Sequence, residues 1–166
     1  MTTDNPTVAS PGLVCRVGAG VIGGLAGGVV FGVMMQALGM LPMVARLVDG
    51  ESVLVGWGVH LAISAFVGTT YALIFGALAE VLVASAVLGV LYGAFWWVLG
   101  GLTLMPLRLG LGMFVLNSAA WQSLAGHLAY GLVLGLAYAL VIPRRLGAPD
   151  RLGQLPRAAE LGRHRD

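Results

Sequence analysis

His60 and His127 are the residues of this chain best placed to do chemistry, and they stand in the same phrase. His60-Leu61-Ala62-x5-Gly68-x2-Tyr71-Ala72-Leu73 returns 67 positions later as His127-Leu128-Ala129-x5-Gly135-x2-Tyr138-Ala139-Leu140. Upstream, Gly24-x3-Gly28 recurs 65 positions on as Gly89-x3-Gly93. Self-similarity at a fixed offset marks a duplicated unit. It sets two ligand-capable imidazoles at equivalent places in an otherwise apolar chain.

Four chemistries are open to such a pair. A neutral histidine can hydrogen-bond a carbonyl or a serine and fasten helices together. Two histidines from related helices, with glycines a turn away to admit a macrocycle, match in kind a bis-histidine haem site, for which His60 and His127 are the candidate ligands. Thioether and imidazole together suit Cu(I), and Met40, Met43, Met105 and Met113 lie near the starts of the histidine-bearing segments. Methionine is also ordinary apolar filler. Finally, His60 and His127 could titrate in a proton or small-solute path. Glu80, the only acid between Glu51 and Asp150, falls in a short turn where solvation is expected.

The elements that must hold these histidines follow from composition. Hydrophobic residues make up 58% of the chain and charged ones 10%, whereas a soluble domain is about a quarter charged. Uncharged runs of this length read as spans facing lipid. Four are expected: 17–41, 56–79, 81–104 and 121–142. Inside a bilayer each backbone N–H needs an internal partner, so the spans must be helices. The reading is an all-α integral membrane protein, four transmembrane helices from a tandem duplication of a helical hairpin. The repeats cover about 17–79 and 81–142, related by a pseudo-twofold along the membrane normal.

The chain contains no lysine, so orientation rests on arginine. Arg16, Arg144, Arg145, Arg151, Arg157, Arg163 and Arg165 flank the terminal ends, against Arg46 and Arg108 in the two loops opposite. The positive-inside rule then puts both termini in the cytoplasm. Residues 1–11 read as a short disordered tail, 12–142 as the bundle, and 143–166 as a loose basic tail suited to anionic headgroups. The single Cys15 has no internal disulfide partner and is expected to serve packing.

Glycine carries the expected packing. Gly20, Gly24, Gly28 and Gly32 recur in four-residue steps along the first span. Such steps return to one helix face and leave a groove for close backbone approach. Gly89 and Gly93 repeat the device in the third span, followed by Phe95, Trp96 and Trp97, which could fill a neighbouring groove or form an interfacial belt. His60, Ser64, Gly68 and Tyr71 share the offsets of His127, Gly131, Gly135 and Tyr138. Each set lines one small, polar stripe expected to face the bundle interior. Pro42 and Pro106 are expected to stop the helices before their loops. Arg46 and Arg108 are read as snorkelling cations or phosphate contacts, with Asp49 and Glu51 pairing locally with Arg46.

Gly126-His127-Leu128-x-Tyr130-Gly131-x2-Leu134-Gly135-x2-Tyr138, with Trp57-x2-His60 and the Pro106 loop, resembles a domain-of-unknown-function family of small four-span prokaryotic membrane proteins. The resemblance covers about residues 17–142. It implies the fold and a prokaryotic inner-membrane location, and brings no activity.

No Walker loop, zinc motif, Cys–His pair or nucleophile elbow is present, so the expectation is not an enzyme. The basic residues sit in a short tail without interleaved aromatics, which argues against nucleic acid as a partner. The expected class is a structural or accessory membrane subunit, working as a homodimer or in a larger complex through its glycine faces. The alternatives are a haem or metal protein and a small permease.

Overall fold

Four helices long and apolar enough to cross a membrane run through Leu13–Ala37, Val53–Phe75, Leu82–Leu109 and Ser118–Val141. The computed structural model describes residues 12–142, and the expected tails at 1–11 and 143–166 lie outside the described residues. Helix α1 is Leu13–Ala37, α2 the short Leu41–Ala45, and α3 Val53–Phe75. Helix α4 is Leu82–Trp96; it continues through a π-helical segment, Trp97–Leu104, into α5, Met105–Leu109. Helix α6 is Ser118–Val141.

Three spans begin earlier than hydropathy suggests, two of them for a stated capping reason. Ser52 Oγ accepts from Val55 N at 3.1 Å and Asn117 Oδ1 from Ala120 N at 3.0 Å. Each satisfies a backbone donor that the first helical turn leaves open. The helices therefore start at Val53 and Ser118, not at residues 56 and 121.

The prolines do not stop the spans. Helix α1 ends at Ala37, and Gly39 takes the left-handed conformation at φ +66°. Its neighbour Met40 returns an N–H to Met35 O at 2.8 Å. That is a glycine-terminated helix end. Pro42 and Pro106 instead lie in the first turns of α2 and α5, where a missing N–H matters least. The third span thus carries on to Leu109 and is turned at Gly110, φ +68°.

Helix α1 packs on both α3 and α6, and α6 also packs on α4. Helices α3 and α4, although consecutive, scarcely approach by backbone. Two glycine rows explain the double duty of α1. Gly20, Gly24 and Gly28 face α3: a Cβ at Gly24 would lie 2.9 Å from Gly68 Cα, and one at Gly28 2.6 Å from Ser64 Cβ. Gly23 and Gly27, one position back, face α6, where a Cβ would meet Leu134 O at 2.9 Å and Tyr130 O at 2.6 Å. Lipid tails give helices no hydrophobic drive to associate, so close backbone approach and its dispersion gain hold them together.

The second hairpin closes in the same manner. Cβ atoms at Gly89 and Gly93 would collide with the carbonyls of Gly131 and His127, and one at Gly135 with that of Ser85. The aromatics that fill glycine hollows are not those expected. Trp57 lies over Gly32 and Phe31 over Gly126. Phe95 is exposed, Trp96 packs edge-on against Phe66 and Tyr92, and Trp97 donates Nε1–H to Ala120 O at 3.0 Å. Cys15 is exposed and so does not pack.

Candidate functional site

The interior stripe of α3 brings His60, Ser64, Gly68 and Tyr71 inside, all buried. On α6, Gly131, Gly135 and Tyr138 are buried and His127 is partly so. Both imidazoles touch a single ring. Phe31 of α1 sits with its centroid 5.4 Å from that of His60 and 4.8 Å from that of His127, edge-on to both.

The histidines are used differently. His60 Nε2 lies 2.9 Å from Gly28 O, a bond across from α3 to α1. A carbonyl only accepts, so the ring donates from Nε2. His127 Nδ1 lies 2.8 Å from Ser123 O, one turn back on its own helix, with Ser123 Oγ at 3.3 Å. The same logic puts its proton on Nδ1 and leaves Nε2 the lone pair. Gly101 of the π-helical segment borders this ring: a Cβ there would lie 3.5 Å from His127 Cε1. The wide π turn therefore runs past the imidazole without crowding it.

Below the histidines the polar groups are tied off one by one. Ser64 Oγ donates to His60 O at 2.8 Å and Tyr130 OH to Ser64 O at 2.9 Å. Tyr71 OH lies 2.9 Å from Ser85 O and 3.0 Å from Ser85 Oγ, while Ser85 Oγ donates to Gly135 O at 2.7 Å. Tyr92 OH reaches Val67 O at 3.2 Å and Thr70 Oγ1 at 2.6 Å. Tyr138 OH donates to Gly76 O at 3.4 Å. All four tyrosines of the chain are thus cross-helix braces, and Tyr71 and Tyr138 meet edge-on at 5.6 Å. Each brace ends on a helix carbonyl, which has a second lone pair to offer. Sequence reasoning named Tyr71 and Tyr138 and missed Tyr92, Tyr130, Phe31 and Ser85. Gly23-x3-Gly27 was the readable sign that α1 has a second packed face.

Phe31 is in edge-on ring contact with both imidazoles, and each imidazole is hydrogen-bonded to a backbone carbonyl. Met40 and Met105 pack on the core, Met43 is half-buried and Met113 is exposed beyond Gly110.

The charges also differ from expectation. Glu80 is not left to solvent: its side chain is 19% exposed and lies 3.7 Å from Arg16 of α1. Asp49 pairs with Arg108 of the other loop, both carboxylate oxygens at 3.1 Å from one Nη2, and not with its neighbour Arg46. Both loops lie at the same end of an up-and-down bundle, so residues 59 positions apart become neighbours.

The helices and the braced interior fit the class of multi-pass helical membrane proteins. No family model matches the chain, and no curated protein or solved structure matches it.

Proposed function

We propose that this chain is a structural or accessory subunit of a prokaryotic inner membrane, built by duplication of a helical hairpin, with both termini on the cytoplasmic side. The observation that carries the reading is the ending of every interior tyrosine hydroxyl on a backbone carbonyl of a neighbouring helix. Such groups brace a bundle, and Tyr71 and Tyr92 add side-chain contacts to Ser85 and Thr70. The matched contacts of Gly24 with Gly68 and of Gly89 with Gly135 support the duplication. So does the placing of Tyr71 and Tyr138 against each other.

The glycine faces are spent within the chain, so a second chain would dock elsewhere. Leu82–Leu109 is the least buried span, with Val83, Val87, Leu91 and Phe95 exposed along it. Mild-detergent purification from the native host, with crosslinking from a cysteine placed at Leu91, tests the reading. A stoichiometric partner or a homodimer crosslinked there is the expected result. A lone monomer that carries a proton flux in liposomes, lost in His127→Phe, would overturn it. That second reading draws on one observation: His127 Nε2 has no hydrogen-bond partner among the described residues.

A further inference from the structure

Six charged side chains fall within the described residues, and they gather at two places. Arg16 and Glu80 form the pair at the terminal end. Arg46, Asp49, Glu51 and Arg108 collect at the loop end, where with Gly50 and Leu109 they line one open pocket of about 340 Å³. That lies at the small end of ligand-pocket volumes, roughly 300–1,000 Å³. The four charges sum to zero but are not paired off. Asp49 and Arg108 satisfy each other across the two loops. Arg46 and Glu51, which line the same pocket, form no ion pair among the described residues.

We infer that this pocket binds a zwitterion carrying a phosphate and a primary ammonium, the chemistry of a phosphoethanolamine group. Arg46 supplies the free cation for the phosphate; a guanidinium presents a planar fork of donors suited to it. Glu51 supplies the free carboxylate for the ammonium, whose N–H groups donate where a quaternary ammonium has none. The Asp49–Arg108 pair joins the two loops beside those poles. Backbone geometry holds Asp49 in place, since it adopts the left-handed conformation at φ 57° directly after the Arg46–Val48 turn. The position suits the source: the pocket lies at one end of four apolar spans, at the level where lipid headgroups begin.

The test uses the full-length protein in detergent, delipidated, with retention of added lipid read by native mass spectrometry. Short-chain phosphatidylethanolamine is compared with the phosphatidylcholine and phosphatidylglycerol of the same chains. Expected is a preference for the ethanolamine lipid. It should fall about threefold to fivefold in Arg46→Gln, as the loss of one exposed charge contact implies. Glu51→Gln should abolish the discrimination between ethanolamine and choline while leaving phosphate binding. Both positions are exposed, so neither change threatens folding. Competition by soluble glycerophosphoethanolamine would identify the headgroup chemistry as sufficient and a free solute as a source; no competition would assign the site to lipid. Equal retention of the three lipids, or variants that discriminate like the parent chain, would overturn the inference.

Discussion

The seam between α1 and α6 and the seam between α3 and α4 join the same two hairpins on opposite sides of the bundle, and they are built in opposite ways. At the first, Gly23 and Gly27 let backbone meet backbone. At the second the backbones stand apart, and Phe66, Tyr92 and Trp96 fill the gap with rings at centroid distances near 6 Å. The first seam closes at glycine backbone and the second closes through rings. Helix association without a hydrophobic drive can use either solution, provided the contact is dense. They should respond to mutation with opposite signs: added volume breaks the first and removed volume breaks the second.

The largest effect is expected from Gly27→Leu. The new side chain would meet Tyr130 O, and backbone cannot yield as a rotamer can, so destabilisation should exceed about 3 kcal/mol, the upper range of overpacking. Loss of a monodisperse, thermally cooperative species in detergent is the readout. Tyr92→Ala attacks the other seam by emptying it, at about 3 kcal/mol. Tyr92→Phe should recover most of that in the same melt, because the ring is the strut. If Gly27→Leu folded normally, or Tyr92→Ala were silent, the contrast between the seams would fall.

The braces are worth less. A double-mutant cycle of Tyr71→Phe with Ser85→Ala should give a coupling near 0.6 kcal/mol, the average for such bonds in membrane bundles. His60→Phe should cost about 1 kcal/mol, since it releases α3 from the Gly28 carbonyl of α1. His127→Phe removes a bond within its own helix and should cost roughly half as much. Equal losses from the two would mean that the histidines act as a symmetric pair after all. Smallest is Gly101→Ala, whose Cβ has ordinary contacts of 3.4 Å and more. Stability in that variant should stay within about 0.5 kcal/mol of the parent. A collapse there would show that glycine in the π-helical segment serves more than spacing.

Much of the fold was legible before the coordinates. Long uncharged runs required four helices, because unpaired backbone has nowhere to go in hydrocarbon. The positions of His60, Ser64, Gly68 and Tyr71 told which face of α3 is turned inward, since small and polar residues have no reason to line lipid. Boundaries were less legible. Hydropathy does not sense Ser52 or Asn117, whose oxygens start helices by capping donors. The helix-breaking rule for proline gave Pro106 the stop that Gly110 performs.

What sequence alone determined is local: helix number, glycine periodicity and the inward stripes, each dictated within one or two turns of chain. What tertiary structure decided is which helix each stripe meets. Only the order of helices around the bundle brings Phe31 against both His60 and His127, and gives two imidazoles that the sequence made look like a pair different partners. Only that order brings Asp49 to Arg108 in preference to Arg46 three residues away. Contacts between helices depend on rotation and neighbour choice, and in lipid those are decided by dense fit between whole faces, which no short stretch of residues contains.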